Sequence, residues 1–115
     1  PVDIVMPGAT ENEINLNDAK TIVKNGTKYV IECSNMPSTP DAIKYFQENG
    51  IKFAPSKAVN AGGVVTSVYE MSQNATFETL SFEKIDKKLK EEMKNIYINI
   101  AFTAKEYGYE DNLVI

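Results

Sequence analysis

The sequence predicts an α/β fold in which three short parallel strands alternate with helices and a long amphipathic helix follows. Strand-like and helix-like segments alternate along the 115 residues, with no repeat or low-complexity tract between them. The strand-like runs are short and almost wholly apolar, as in parallel strands that helices cover. Because strand–helix–strand units join parallel strands by right-handed crossovers, we expect a partial Rossmann-like sheet.

The first strand–helix pair begins with Ile4-Val5-Met6, which Pro7-Gly8 ends. We expect the helix to start after Asn15 or Asn17, since asparagine is a favoured N-cap residue. Asn25-Gly26 has the composition of a helix end.

The second pair repeats this order. Tyr29-Val30-Ile31 is the predicted strand, and Thr39 followed by Pro40 is typical of a helix start, with a capping hydroxyl and then proline at the first helical position. Asn49-Gly50 ends this helix, whose apolar face we expect to comprise Ala42, Ile43 and Phe46.

The third predicted strand is Ile51 to Ala54, and Pro55 ends it. A stretch of small residues from Ala58 to Ser67 then leads into a helix that carries Val68, Met71 and Ala75. The last helix has the clearest periodicity, because apolar residues recur every three or four positions opposite a charged face. These residues are Phe82, Ile85, Leu89, Met93, Ile96 and Ile100.

Composition excludes several classes of function. The net charge is −4 and the lysine-rich stretch from Lys84 to Lys94 is interleaved with acidic residues, which argues against nucleic-acid and anionic-membrane partners. No apolar run approaches the roughly 20 residues of a membrane span, and no export signal is present, so we expect a cytoplasmic protein. With one cysteine, Cys33, and no histidine, a Cys/His metal site and a histidine general base are excluded.

Small and amide-bearing residues follow all three predicted strands, at the edge where open parallel sheets bind ligands. Asparagine offers one donor and one acceptor, which suits a carboxamide or a sugar hydroxyl, although turns also require Asn, Gly and Pro. No G-x-G-x-x-G or P-loop motif is present, so the pyrophosphate of a dinucleotide has no evident site here. The three segments are 7–13, 33–37 and 55–64.

These segments resemble the hexameric-type glutamate dehydrogenases. Asn60 to Val64, with Ser67, Glu70 and Met71, is similar to that family's N-A-G-G-V-x-x-S-x-x-E-M. The resemblance extends in order over nearly the whole chain, through the family segments C-A-T-Q-N-E, G-A-N-M-P-T and F-A-P-x-K-A. It implies that residues 1–115 are the C-terminal half of a dinucleotide-binding domain, and that the substrate domain and the glycine-rich phosphate loop are absent from the chain.

The resemblance implies oxidative deamination of L-glutamate to 2-oxoglutarate and ammonia, with hydride transfer to NAD or NADP, in a homo-hexamer. By position, Thr10 and Asn35 would lie beside the nicotinamide and its ribose, and Asn60 would contact the carboxamide or ribose. Val64 and Ser67 would line the glutamate pocket, where the Ser67 hydroxyl would bind the γ-carboxylate. A hydroxyl near a helix start, where the dipole favours anions, suits that role.

The family's catalytic lysine and aspartate belong to the other domain, so we expect no catalytic residue in this chain and no turnover from it alone. Lys57 follows the third strand and matches a family lysine that is not the general acid or base. Cofactor preference is set around the adenosine ribose, in a region that the chain does not include.

Four departures from the family pattern bear on the site. Gly8 stands where Cys is usual, Glu11 where Gln is usual, and Cys33-Ser34 where Gly-Ala is usual, which adds bulk beside the predicted cofactor contact. Val68-Tyr69 replaces Gly-Leu, and we interpret Tyr69 as core filling in preference to an altered pocket.

Two other hypotheses remain open. One is a non-catalytic interaction domain built on the same half-fold. The other is a related dehydrogenase of leucine or phenylalanine, against which Ser67 argues because those substrates have no γ-carboxylate.

Overall fold

The computed structural model describes residues 1–77, 79–108 and 113. The elements are β1 (Ile4–Val5), α1 (Leu16–Lys24), β2 (Tyr29–Ile31), α2 (Pro40–Glu48), β3 (Lys52–Ala54), α3 (Ser56–Val59), α4 (Ala61–Thr76) and α5 (Phe82–Glu106). The three strands are parallel and lie in the order β1-β2-β3. Ile4 pairs with Tyr29, and Val30 pairs with Phe53. The predicted α/β class, with three short strands and a long final helix, is confirmed.

Local capping signals position the first two helices as predicted. Asn15 is the N-cap of α1: its side chain accepts from Asp18 N at 3.0 Å, and the Asp18 carboxylate accepts from Asn15 N at 3.1 Å. This reciprocal pair of hydrogen bonds identifies Asn15, and not Asn17, as the N-cap residue. Thr39 caps α2, with Pro40 at its first position. Gly26, after α1, takes the left-handed conformation that a helix end requires, at φ 82°.

The core lies between the sheet and the pair α1 and α2. Val30 and Phe46 are fully buried and Phe53 is 2% exposed, and the two phenylalanine rings stack with centroids 6.0 Å apart. The expected face of α2 is confirmed by Ala42 and Phe46, while Ile43 is half-buried. An open pocket lies between the strands and α5, lined by Tyr97 and Ala101 of that helix.

The helix after β3 starts earlier than the sequence pattern indicated. Residues 58–67 were expected to lead into a helix, but α3 already occupies Ser56–Val59 and α4 begins at Ala61. Small residues have no apolar periodicity, so the pattern became visible only from Val68 onward. Asn60 therefore lies at the junction of two helices and not in a loop.

Helices α4 and α5 pack against each other. A Cβ added to Gly62 would lie 3.2 Å from Leu89 Cδ1, so glycine permits the close approach of the two helices. Along α5, five of the six predicted apolar residues are half-buried, whereas Phe82 is 79% exposed. Within residues 1–77 and 79–108, no helix is long and apolar enough to cross a membrane.

Candidate functional site

The first and second strand-end segments are joined by backbone hydrogen bonds. Asn12 N donates to Met36 O at 3.0 Å, and Cys33 N donates to Pro7 O at 2.9 Å. Asn12 and Met36 both have positive φ, 54° and 43°, a conformation that non-glycine residues adopt only where surrounding contacts hold them. The expectation that these segments meet at one edge of the sheet is confirmed.

The second and third segments meet through two asparagines. Asn60 Nδ2 donates to Asn35 Oδ1 at 2.7 Å. In the described part of the chain, this bond leaves the Nδ2 group of Asn35 and the Oδ1 atom of Asn60 without a protein partner. The pair therefore offers a donor group, Asn35 Nδ2, and an acceptor, Asn60 Oδ1, from adjacent side chains, and together these complement a carboxamide.

An open pocket of about 360 Å³ lies beside this pair. Thr10 is exposed and falls between two of the lining residues without lining the pocket itself. The structure thus brings Asn35 and Asn60 together, with Thr10 at the margin. The lining residues are Ala9, Glu11, Cys33, Ser34, Asn35 and Asn60.

Val64 and Ser67 lie on α4, four and seven residues after Asn60, so helical spacing places all three on one face. Val64 is 69% exposed and Ser67 is also exposed. The Ser67 hydroxyl donates to Gly63 O at 3.0 Å. Ser67 is the seventh residue of α4, beyond the first turn, so the helix-dipole argument made for it from sequence does not hold.

A residue that sequence reasoning missed is Glu32, at the end of β2. It is 3% exposed, and its carboxylate accepts from Ser38 N at 3.1 Å (Oε2) and from Ser56 N at 3.2 Å (Oε1). The available signal was an acidic residue directly after the apolar run Tyr29–Ile31. A charge in that position is buried only when it is partnered.

Two departures from the family pattern lie close together. A Cβ added to Gly8 would lie 3.6 Å from Cys33 Cβ, which is ordinary van der Waals contact. The smaller residue in the first segment therefore faces the larger one in the second. Because the added Cβ would meet Cys33 without a clash, the presence of Cys33 does not by itself require glycine at position 8.

The other departures and candidates lie elsewhere. Tyr69 is half-buried beside α5, with Lys88 Nζ 5.4 Å from its ring centroid, and it is not among the described residues of the hydrophobic core. Lys57 is exposed on α3 and does not line the pocket. Over residues 1–77, 79–108 and 113, no cluster of three or more His, Cys, Asp or Glu side chains has the arrangement of a metal site.

Comparison with known proteins shows the family. The sequence profile of the glutamate/leucine/phenylalanine/valine dehydrogenases matches residues 1–114. The NADP-specific glutamate dehydrogenase of Psychrobacter sp. (strain TAD1) is 47% identical over 109 residues, 95% of this chain and 24% of that protein. The NAD-specific glutamate dehydrogenase of Clostridium symbiosum is also 47% identical, over 98% of this chain and 25% of that protein.

Solved structures of glutamate dehydrogenases have the same fold over the matching region. Plasmodium falciparum glutamate dehydrogenase superposes with a TM-score of 0.93 at 46% identity, over 98% of this chain and 24% of that one. The glutamate dehydrogenase of Peptoniphilus asaccharolyticus superposes with a TM-score of 0.81 at 34% identity, over 89% of this chain and 25% of that one. The chain thus spans about a quarter of the length of these relatives. It belongs to the glutamate/leucine/phenylalanine/valine dehydrogenase family, and within that family it is similar over nearly its whole length to glutamate dehydrogenases.

Proposed function

We propose that this chain forms the nicotinamide-side floor and one wall of the glutamate pocket in a glutamate dehydrogenase. The reaction is oxidative deamination of L-glutamate to 2-oxoglutarate and ammonia, and bound NAD or NADP would accept the hydride. The single observation that carries the proposal is the Asn35–Asn60 pair beside an open pocket. Relatives that are 47% identical include both NAD-specific and NADP-specific enzymes, so both cofactors remain within the proposal.

The pair suits the amide end of the cofactor. Asn35 Nδ2 would donate to the carboxamide oxygen, and Asn60 Oδ1 would accept from the carboxamide nitrogen. Because each asparagine already holds the other at 2.7 Å, little side-chain freedom remains to be lost when the ligand binds. Thr10, at the pocket margin, would lie beside the nicotinamide ribose.

The α4 face provides the substrate wall. Val64 would exclude water from the glutamate side chain, and the Ser67 hydroxyl would donate to the γ-carboxylate. Lysine and aspartate groups for proton transfer would come from another domain of a homo-hexameric enzyme. In this proposal the chain binds and orients both reactants and supplies no catalytic residue.

Replacing Asn60 with alanine tests the cofactor role. The variant is made in a full-length dehydrogenase. This is a polypeptide of the relatives' length in which the present chain takes the place of the homologous quarter. Loss of one hydrogen bond, together with the Asn35 contact that orients the pair, is expected to raise the KM for NAD(P)⁺ by about 3- to 10-fold. Steady-state kinetics with saturating glutamate measure the KM for NAD(P)⁺.

Asn95→Ala, at an exposed position on α5, is the matched control and is expected to leave the KM for NAD(P)⁺ unchanged. An unchanged KM in Asn60→Ala would remove the basis of the proposal.

The chain alone is expected to show no turnover. Purified residues 1–115 are mixed with glutamate and either cofactor, and NAD(P)H absorbance is followed. Formation of NAD(P)H above the rate in buffer would contradict the assignment of the proton-transfer groups to another domain. Leucine in place of glutamate, tested in the full-length dehydrogenase, separates this function from that of a leucine dehydrogenase.

A further inference from the structure

Glu32 connects the two segments that carry the asparagine pair. Its buried carboxylate accepts from Ser38 N on one side and from Ser56 N on the other, and each oxygen serves one segment. A carboxylate buried in this way is stabilised by the hydrogen bonds it accepts and would be costly without them. The Glu32 carboxylate therefore fixes the position of the backbone at both Ser38 and Ser56.

We propose that Glu32 is a positioning residue for the nicotinamide site, which acts by holding Asn35 and Asn60 in the geometry that binds the cofactor. The inference rests on the proposed function and deepens it. Glu32 does not line the pocket, so it has no contact with a ligand there. It acts only through the two asparagines.

The connection to Asn60 runs through α3. Pro55, at the N-cap, has no side-chain hydrogen bond to offer, so the Glu32 carboxylate takes the place of a capping side chain for Ser56 N. The helix is only four residues long, and Asn60 N donates to Ser56 O at 2.9 Å. Fixing Ser56 therefore fixes the backbone of Asn60 one turn later.

The connection to Asn35 runs through its neighbours. Ser38, three residues on, donates its N–H to Glu32, and Met36 N donates to Ser56 Oγ at 3.3 Å. Met36 has φ 43°, a backbone conformation that costs free energy and persists only where such contacts offset the cost. Asn35 thus depends on the same anchor as Asn60, although the two are 25 residues apart in sequence.

Glu32→Gln tests the inference in the chain itself. Glutamine is isosteric, but it turns one acceptor oxygen into an NH₂ group that faces a backbone N–H, so one of the two bonds is lost. NMR follows the Asn60 side-chain amide protons and the hydrogen exchange of the Ser38 and Ser56 amides. We expect the hydrogen-bonded Asn60 proton to move upfield and at least one of the two backbone amides to exchange about tenfold faster.

Thr27→Val is the matched control. Thr27 is 4% exposed, and its hydroxyl donates to Val2 O at 3.0 Å, at the end of the sheet away from the asparagines. This variant also removes a buried hydrogen bond, but it is expected to leave the Asn60 signal in place. If Glu32→Gln lowers stability and the Asn60 signal does not move, or if Thr27→Val moves it equally, Glu32 has only a structural role and the proposal is overturned.

Glu32→Asp decides the question should Glu32→Gln fail to fold. It keeps the carboxylate but shortens the side chain by one methylene group, so the oxygens can no longer reach Ser38 N and Ser56 N together, which they now accept from at 3.1 and 3.2 Å. The hydrogen-bonded Asn60 proton is expected to move upfield, as in Glu32→Gln. An unchanged Asn60 signal in this folded variant overturns the proposal.

Kinetics in the full-length dehydrogenase complete the test. Glu32→Gln is expected to raise the cofactor KM by about 3- to 10-fold, the range expected for Asn60→Ala, with kcat within about twofold and Thr27→Val without effect. If Asn60→Ala leaves the cofactor KM unchanged, the proposed function fails while the NMR result stands. If Asn60→Ala raises it and Glu32→Gln does not, only the positioning role fails.

Discussion

Replacing Phe46 with alanine is expected to lower the free energy of unfolding by about 3–5 kcal/mol. Phe46 is fully buried, and its ring stacks on that of Phe53 with centroids 6.0 Å apart. Truncation removes the transfer free energy of the ring and leaves a cavity between α2 and the sheet. A domain of this size has about 5–15 kcal/mol of total stability, so the loss is a large fraction of that total.

Urea denaturation followed by circular dichroism measures this loss. Phe102→Ala is the matched control, because Phe102 is 67% exposed on α5 and loses the same atoms from a surface site. We expect the control to change stability by no more than about 0.5 kcal/mol. Similar losses in the two variants would show that the core does not lie between the sheet and α2.

Replacing Ser67 with alanine in the full-length dehydrogenase is expected to raise the KM for glutamate about tenfold. A hydrogen bond to a charged group contributes about 1.5–3 kcal/mol. The Ser67 hydroxyl already donates to Gly63 O at 3.0 Å and must leave that carbonyl to bind a carboxylate, which offsets part of the gain. The expected effect is therefore near the lower end of the range.

Thr66→Ala is the control for Ser67. Thr66 has the same kind of bond, from its hydroxyl to Gly62 O at 2.8 Å, but it is half-buried on the side of α4 that packs on α5. Steady-state kinetics should show the increase in glutamate KM for Ser67→Ala alone, with the cofactor KM within about twofold in both variants. An unchanged glutamate KM in Ser67→Ala would count against its place in the pocket.

Helix boundaries were the most predictable feature, because their signals lie within one turn of the chain. The capping pair Asn15 and Asp18 and the Thr39-Pro40 start are each complete in a few residues, and the structure uses both. The start of α4 was missed for the converse reason. Ala61, Gly62 and Gly63 carry no apolar periodicity, and the approach of Gly62 to Leu89 of α5 is visible only in the folded chain.

The sequence by itself determined the α/β class, the order of the elements, the sheet edge at which the site is proposed and the family resemblance. Only the tertiary structure decided that Asn60 donates to Asn35, that Gly8 lies beside Cys33, and that the Glu32 carboxylate accepts from Ser56 N. Caps and periodicity are local interactions, whereas these contacts link residues about 25 positions apart through the docking of strand ends. Such contacts depend on how the sheet packs, and for that reason no local pattern in the sequence indicates them.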